Sequence, residues 1–531
     1  MLFSLQLDKN DQTTLQAQIF SQLRALILSG RVRPGAILPA TRVLARQHGI
    51  SRNTATQVYD RLVSEGYVET VRGSGTRVSL SLPETRLQAP SIEKQPKTFG
   101  HQNELAGAVP KAPLVFRGTQ PQLPETGLSR ARIDFWPGRP NRHLFPVRIW
   151  RKLLTEHLTN AGASLSEYGD PAGAPSLREA IADHLRFARG MNVVSDQVVV
   201  TGGSQEALNI ISRLFLQPGT PVVVENPCYQ GAALTFASYG ASLEPLGLDQ
   251  DGILVDRLRG RRARLAYVTP SHQFPTGVTL PLDRRLLLLN WARQVGAYIV
   301  EDDYNSDYRY SGPPLVALAG LEPAGESVIY LGTLSKSLGA GLRTGFLVVP
   351  APLIGPARAV KALLNFGHPW LEQVTAASFI SSGAYQRHLR KILRICREVR
   401  DCLLYNLTHT FGGNLSLSGA DGGMHVMWRL PSDFPSADQF AAATRGYGTH
   451  IHTTASAGAV DFDSEIGRRG VVLGYTALTE TEICAGVTAM ARALDDLTAS
   501  SNRPNCAGQA KSIRAPEQRD GVCSAQPRYE S

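Results

Sequence analysis

A chain of 531 residues is too long for one ordinary domain, and with 43% apolar and 19% charged residues it can bury a sizeable core, which excludes a wholly disordered protein. The formal charge of +10 points to a polyanionic partner such as nucleic acid. The six cysteines form neither a CxxC pair nor a metal-spaced cluster with histidine, so we expect free thiols, a reducing compartment and no metal site. Charged residues near the N-terminus exclude a signal-peptide core, and no apolar run approaches the roughly 20 residues of a membrane span. We therefore expect a cytoplasmic protein without a membrane partner.

The first eighty residues have the pattern of a small helical domain. Apolar residues at helical spacing predict three helices, the first from Leu15 to about 28, the second over 41–47 and the third over 51–65. A tight turn at Gly49 joins the second helix to the third, and Ser51 is a good N-cap. Two helices joined in this way are typical of a helix-turn-helix, whose second helix enters the major groove of DNA.

A glycine-rich hairpin follows the third helix. Residues 67–78 (YVETVRGSGTRV) predict two short strands that are joined by Gly73-Ser74-Gly75 and flanked by Arg72 and Arg77. Such a wing suits a minor groove or the phosphate backbone. The alternative for the whole segment is a small helical domain with a solvated basic face.

Residues 38–78, LPATRVLARQHGISRNTATQVYDRLVSEGYVETVRGSGTRV, resemble the winged-helix DNA-binding domain of the GntR family. In that family an arginine after the Leu-Pro turn, the start of the recognition helix and the wing tip contact DNA. The resemblance assigns DNA binding to Arg42, Ser51, Arg52, Asn53, Thr54, Thr56, Arg72, Gly73, Ser74, Gly75 and Thr76.

A lysine between two apolar runs is the centre of the remaining chain. Lys336 lies in YLGTLSKSLGAGLRTGFLVV, residues 330–349, between two predicted buried strands. A desolvated amine at a sheet edge loses its proton more readily and can form an imine with an aldehyde cofactor. Thr333, Ser335 and Arg343 offer donors that suit a phosphate. The alternative is a surface lysine in a glycine-rich hairpin.

A second segment supports a cofactor. The apolar run 297–300 ends in Glu301, Asp302, Asp303 and Tyr304, and clustered carboxylates at a strand end are costly unless a cation faces them. A protonated pyridine nitrogen is such a cation, and the tyrosine phenol can hold a neighbouring ring oxygen. Pyridoxal 5'-phosphate (PLP) combines an aldehyde, a pyridinium, a phenolate and a phosphate in one molecule. Either Asp302 or Asp303 can face its nitrogen.

Polar residues also follow four other strand-like runs, and apolar runs alternate with amphipathic helices, which predicts an α/β sheet of mainly parallel strands. Ligands bind such sheets at the carboxyl ends of the strands. The glycine turn before the helix at Gly203, Ser204 and Gln205 suits an anion, and the ring of Tyr229 can lie over a planar cofactor. The five strand-end segments are TGGSQ at 201–205, ENPCY at 225–229, TPSHQFPTG at 269–277, EDDY at 301–304 and TLSK at 333–336.

These motifs, together with YGDPAG at 168–173, resemble the large domain and the smaller C-terminal α/β domain of class I aminotransferases of the PLP-dependent fold type I. Behind a GntR head, this combination resembles the MocR/GabR type of transcriptional regulator. The resemblance implies that Lys336 holds PLP as an internal aldimine, Asp302 pairs with the pyridinium, Tyr304 faces the ring hydroxyl and Tyr229 stacks on the ring. It further implies a homodimer whose phosphate sites contain Gly203, Ser204, Gln205, Thr333, Ser335 and Arg343, with Tyr168 from the partner subunit.

The predicted organisation has four parts. Residues 1–80 form the winged helix, 81–132 a flexible linker, 133–498 the aminotransferase-like region and 499–531 a disordered tail.

Two positions depart from the aminotransferase pattern. Phe274 stands where those enzymes have the asparagine that tunes the ring oxygen. Val472 stands where an arginine typically clamps the substrate carboxylate, so an ordinary α-amino acid substrate and efficient turnover are disfavoured.

We therefore predict a regulator that binds double-stranded operator DNA at paired half-sites and senses PLP, an amine or an amino acid. The alternatives are a PLP-dependent aminotransferase with a DNA-binding appendage, and a fold that has lost its cofactor and serves as a dimerisation module.

Overall fold

The computed structural model describes residues 5–8, 11, 13–71, 75–80, 82, 119–123, 131–305, 307–312, 315–321 and 326–501. By its internal contacts the chain divides into two units, Met1–Ala112 and Pro113–Ser531. Three wing-tip residues (72–74), most of the predicted linker and residues 502–531 of the predicted tail lie outside the described residues. In the described part of the chain, no helix is long and apolar enough to cross a membrane.

The N-terminal unit contains the predicted winged helix, which is confirmed. Its core consists of apolar side chains from all three helices and the hairpin, including Ile19, Leu44, Val58 and Val78. The elements are α1 (Leu15–Leu28), α2 (Thr41–His48), α3 (Arg52–Ser64) and the antiparallel strands β1 (Val68–Val71) and β2 (Gly75–Val78).

Local chemistry explains the helix-turn-helix. Ser51 caps α3, because its hydroxyl accepts a hydrogen bond from the backbone N–H of Thr54 at 3.0 Å. Gly49 ends α2 at φ +62°, in the left-handed region that glycine occupies without strain. The turn therefore places the start of α3 at the surface.

A large mixed sheet forms the base of the second unit. Its strand order is β4-β12-β11-β10-β9-β5-β7-β8. Strands β5, β7, β9, β10 and β11 are parallel, whereas β12 is antiparallel to both β4 and β11. The carboxyl ends of β4 and the five parallel strands therefore share one edge. The strands are β4 (Val198–Thr201), β5 (Pro221–Asn226), β7 (Ser242–Asp249), β8 (Gly252–Ile253), β9 (Leu265–Val268), β10 (Tyr298–Asp302), β11 (Val328–Thr333) and β12 (Gly345–Val348).

Helices cover both faces of this sheet. Alternate residues of a strand point to opposite faces, and the strands carry apolar residues on both, so each face must be covered. Val198 and Val200 pack in one core with Leu177 and Phe379, whereas Val199 packs in another with Leu208. The helices are α4 (Val147–Thr159), α5 (Pro175–Arg189), α6 (Ser204–Phe215), α7 (Gln230–Ser238), α8 (Leu282–Val295), α9 (Ile354–Asn365) and α10 (Trp370–Ser381).

A smaller four-stranded sheet, in the order β13-β14-β18-β16, lies in the C-terminal part of the unit. Val426 and Leu473 face its helices in the core, whereas Met427 and Val472 lie on the opposite face. Its strands are β13 (Ser416–Ser418), β14 (His425–Arg429), β16 (His452–Thr453) and β18 (Gly470–Gly474). Its helices are α11 (Ala384–Phe411), α12 (Ala437–Gly446), α13 (Glu465–Arg469) and α14 (Glu480–Ser501).

Two short strand pairs complete the described elements. The strand β3 (Ile133–Asp134) pairs in parallel with β15 (Thr449–His450), and β6 (Cys228–Tyr229) pairs in antiparallel fashion with β17 (Ala459–Val460). Both pairs join segments that are far apart in the sequence. The β6–β17 pair ties the C-terminal part of the unit to the segment that follows β5 at the carboxyl edge of the large sheet.

Candidate cofactor site

Lys336 is half-buried at the carboxyl edge of the large sheet, just after β11. Its Nζ donates a hydrogen bond to the carbonyl oxygen of Gly138 at 3.0 Å, and the hydroxyl of Tyr308 donates to the carbonyl oxygen of Lys336 at 2.7 Å. Burial lowers the pKa of Lys336, although the charge of Asp302 opposes the shift. The amine is thus biased toward its neutral, nucleophilic form.

Asp134 organises the loop that receives this lysine. Its Oδ1 accepts hydrogen bonds from the backbone N–H of Trp136 at 3.1 Å and from Nε2 of His452 at 2.8 Å. Its Oδ2 pairs with Arg139 at 2.7 Å. Burial alone would raise the pKa of Asp134, but His452 and Arg139 lower it to about 2. A permanently ionised carboxylate therefore holds residues 136–139, which include Gly138.

Gly138 offers a direct test of how tightly this loop fits the lysine. A Cβ at Gly138 would lie 2.7 Å from Nζ of Lys336, and φ at Gly138 is +72°. We expect Gly138→Ala to displace the amine and to lower the affinity for added PLP by about tenfold or more, measured by absorption titration. Gly296→Ala is the matched control, because Gly296 has φ +70° but nothing within 4 Å of the added Cβ. Equal PLP affinity in the two variants would contradict the expected contact.

The two adjacent aspartates at the end of β10 have different partners. Oδ2 of Asp303 accepts hydrogen bonds from Arg189 at 2.5 Å and from the hydroxyl of Tyr330 at 2.6 Å. Oδ2 of Asp302 accepts a hydrogen bond from the hydroxyl of Tyr267 at 2.7 Å, and among the described residues its buried Oδ1 has no hydrogen-bond partner. Burial raises the pKa of Asp302 to about 7. In the described part of the chain Asp302 has no ion-pair partner, whereas Asp303 is paired with Arg189, so Asp302 is the carboxylate available to a cation.

Two tyrosines lie near Asp302. In the described part of the chain the buried hydroxyl of Tyr304 has no hydrogen-bond partner, and its ring and that of Phe274 pack edge to face at 6.1 Å between ring centroids. Burial and the charge of Asp302 raise the pKa of Tyr229 to about 12, although Arg343 opposes the shift. A Cβ at Gly231 would lie 2.3 Å from the Tyr229 ring, so only glycine fits beside it.

The predicted anion site is at the N-terminus of α6. The guanidinium of Arg343 donates to the carbonyl oxygen of Gly202 at 2.5 Å, and a Cβ at Gly203 would lie 2.9 Å from the same Nη2. Arg343 itself has φ +50°, a conformation that costs a non-glycine residue about 1 kcal/mol or more and is common at functional sites. The first-turn N–H groups of a helix have no intrahelical acceptor, so Ser204 and Gln205 present theirs here.

Two other residues that were predicted to bind phosphate, Thr333 and Gln205, have side chains that already form hydrogen bonds within the protein. Thr333 ends β11, and its hydroxyl accepts a hydrogen bond from the backbone N–H of Ser335 at 3.1 Å. The side-chain amide of Gln205 donates to Thr235 and to the carbonyl oxygen of Gly231, so this side chain ties α6 to α7. Its backbone N–H is then the group left to face an anion.

Tyr168 is not part of this constellation within one chain. Its side chain is 90% exposed and contacts the ring of Phe366 at 5.8 Å between centroids. The exposed phenol stays a predicted contribution to the site of a partner subunit.

Several residues of the site were not predicted from the sequence. Besides Gly138 and Asp134, they include Tyr267 and the buried imidazole of His425. Burial and the charge of Lys336 lower the pKa of His425 to about 4, and no described residue is a hydrogen-bond partner of its Nδ1. Val472 is buried with Met427 and Ala457, so the departure noted in the sequence lies in an apolar cluster.

The predicted DNA-binding residues lie on α2, α3 and the wing. Arg42, Arg52 and Asn53 are exposed, and Thr56 donates its hydroxyl hydrogen to the carbonyl oxygen of Arg52 at 3.0 Å. Gly75 and Thr76 begin β2, whereas Arg72, Gly73 and Ser74 lie outside the described residues.

Comparison with known proteins agrees with both units. Residues 15–78 match the family of bacterial regulatory proteins of the gntR type, and residues 139–460 match the aminotransferase class I and II family. Fold and site therefore define a winged-helix regulator that carries an aminotransferase-like domain. The chain belongs to the MocR-type branch of the GntR family of transcriptional regulators.

Three similar proteins illustrate this membership. The probable rhizopine catabolism regulatory protein MocR of Rhizobium meliloti is 33% identical over 94% of this chain and 98% of its own length. The pyridoxine biosynthesis transcriptional regulator PdxR of Corynebacterium glutamicum is 32% identical over 79% of this chain and 84% of its own. The third is the α-aminoadipate aminotransferase LysN of Thermus thermophilus, whose structure was solved with N-(5'-phosphopyridoxyl)-L-leucine. It is 28% identical in sequence and superposes with a TM-score of 0.63, and the match covers 69% of this chain and 93% of the LysN chain.

Proposed function

We propose that the aminotransferase-like unit binds PLP at Lys336 and that the state of this site controls the affinity of the winged helix for an operator. The observation that carries the proposal is the set of buried polar groups around Lys336. Within the residues that the structure describes, the Asp302 Oδ1 and the Tyr304 hydroxyl are both buried without hydrogen-bond partners. Such orphaned groups are costly unless a ligand satisfies them.

The residues present fit PLP group by group. When bound, PLP supplies an aldehyde that combines with an amine, together with a pyridine nitrogen, a phenolic oxygen and a phosphate. Lys336 would supply the amine. Asp302 would accept a hydrogen bond from the protonated ring nitrogen, and Tyr304 would donate one to the ring oxygen. Tyr229 covers the ring, and the α6 N-terminus with Thr333, Ser335 and Arg343 holds the phosphate. The phosphopyridoxyl ligand of LysN supports this choice of cofactor.

Sensing is favoured over turnover. Val472 is fully buried among apolar side chains and offers no charge to a substrate carboxylate. Phe274 likewise offers no amide to the ring oxygen. The effector is then PLP itself or PLP together with an amine or amino acid, and the pyridoxine biosynthesis role in the name of PdxR supports the first choice.

A homodimer completes the proposed regulator. Tyr168, Leu363 and Phe366 are exposed apolar or aromatic side chains at 90%, 80% and 65% of their surfaces. Burial of these side chains against a second copy would place Tyr168 beside the partner's site. Two winged helices would then read paired half-sites in double-stranded DNA. We place this regulator in the cytoplasm, at the nucleoid when it is bound to DNA.

DNA recognition is tested on α3. Arg52→Ala should weaken binding to the intergenic DNA beside the regulator's own gene by about tenfold or more, because Arg52 is exposed at the start of α3. Arg61→Ala is the control on the same helix, since Arg61 is held by Glu65 at 2.8 Å and by the Phe20 ring. Fluorescence anisotropy over a salt series measures both, and equal losses would contradict the assignment. Binding of random DNA as tightly as intergenic DNA would contradict a regulator.

A further inference from the structure

Two thiols meet on the outer side of the C-terminal part of the second unit. Cys402 lies on α11 and Cys484 on α14. The sulfur of Cys402 is 3.9 Å from the carbonyl oxygen of Glu480, which precedes Cys484 by one helical turn. Residues four apart lie on the same face of a helix, so the Cys484 side chain lies on the face of α14 that Cys402 contacts. Burial and the neighbouring Cys484 raise the pKa of the Cys402 thiol to about 11. Neither thiol is in a disulfide.

The two thiols differ in accessibility. Cys484 is exposed, whereas Cys402 is half-buried and also accepts a contact from the side-chain amide of Asn406 at 3.5 Å. A small oxidant can therefore reach Cys484 first, with Cys402 positioned to react second. The buried thiols of Cys228 and Cys396 have no such access. By accessibility, Cys484 can act as the entry thiol and Cys402 as the resolving thiol.

We propose that Cys402 and Cys484 form a reversible dithiol–disulfide site that low-molecular-weight disulfides oxidise. The Cys484 thiolate attacks a disulfide RSSR, which breaks the S–S bond, releases one RS⁻ and forms a mixed disulfide. The Cys402 thiolate then attacks the Cys484 sulfur and releases the second RS⁻. The two protons of the protein thiols end on two molecules of RSH, so the protein is oxidised by two electrons and RSSR is reduced by two.

The bridge would join the two helices that enclose this part of the unit. Residues 402 and 484 are far apart in the sequence, so a bond between them restricts a long loop of the unfolded chain. The N-terminal turns of α11 also contact the loop of Lys336, because Tyr385 and His388 bond to the hydroxyl and the carbonyl oxygen of Ser337, each at 2.8 Å. The disulfide would therefore attach α14 to α11, the helix that borders the proposed cofactor site. Formation of the bridge itself does not depend on PLP.

The test uses full-length protein under native conditions with oxidised glutathione. We expect the loss of two of the six thiols when they are titrated after denaturation, one Cys402–Cys484 cross-linked peptide in non-reducing mass spectrometry, and full reversal by dithiothreitol. Cys402→Ser should stop at a glutathione adduct on Cys484, and Cys484→Ser should leave Cys402 unmodified. Cys506→Ser, which lies outside the described residues, should keep the bridge. No loss of thiols, a stable glutathione adduct in the wild type, or pairing of Cys484 with Cys506 or Cys523 would overturn the proposal.

Discussion

Lys336→Ala should remove the long-wavelength absorption band of the PLP-loaded protein and lower its affinity for PLP by about a hundredfold or more, equivalent to about 2.7 kcal/mol. The Lys336 amine is the nucleophile at the carboxyl edge of the sheet, and burial lowers its pKa. Alanine removes the amine and with it the covalent attachment. Absorption spectra and equilibrium dialysis of purified protein measure the two effects.

The matched control for this variant is Lys391→Ala, because Lys391 is an exposed lysine on α11. It should keep both the band and the affinity of the wild type. A wild-type protein that stays colourless with added PLP would exclude the proposed sensor. A band that persists in Lys336→Ala would place the attachment on another amine.

The second large effect separates Asp302 from Asp303. Asp302→Asn should weaken PLP binding by about tenfold or more, because a neutral amide no longer offsets the charge of a pyridinium.

The same change should stabilise the apo-protein. Burial raises the pKa of Asp302 from 3.8 to about 7, so its ionisation in the folded apo-protein costs about 4 kcal/mol at pH 8.

The sign of the pH dependence follows from this raised pKa. Well below the unfolded-state pKa of 3.8 the carboxyl is neutral in both states, and it carries no penalty. As the pH rises toward 7 the unfolded chain ionises first, so this group's contribution to the free energy of unfolding falls. Asp302→Asn should therefore stabilise the apo-protein by more at pH 8 than at pH 5 in urea denaturation.

Asp303→Asn is the informative comparison, because the two residues are adjacent and the substitution is the same. Arg189 would then be buried without its ion-pair partner, so we expect a loss of about 3–5 kcal/mol in the free energy of unfolding. If Asp303→Asn left stability unchanged and removed PLP binding, while Asp302→Asn destabilised the apo-protein, the two assignments would be reversed.

The sequence predicted the meeting of Lys336, Asp302 and Tyr304, since parallel strands bring their carboxyl ends to one edge. It could not decide between Asp302 and Asp303. Their difference depends on Arg189, which lies on α5, 114 residues before Asp303. No local pattern encodes such a pairing.

The support of the lysine loop was missed for the same reason. Gly138 lies 198 residues from Lys336, and Asp134 lies 318 residues from His452. Little in the sequence assigned Tyr267 to the site. It lies within a strand and not at its end, and its apolar neighbours predict a core residue. Only the pairing of β9 with β10 brings its hydroxyl to Asp302.

The central claim is that the site around Lys336 reports to DNA. Fluorescence anisotropy with the adjacent intergenic DNA, with and without PLP, tests it most directly in wild-type and Lys336→Ala proteins. We expect PLP to change the wild-type dissociation constant by about fivefold or more and to leave that of Lys336→Ala unchanged. A wild-type dissociation constant that is the same with and without PLP would contradict the claim.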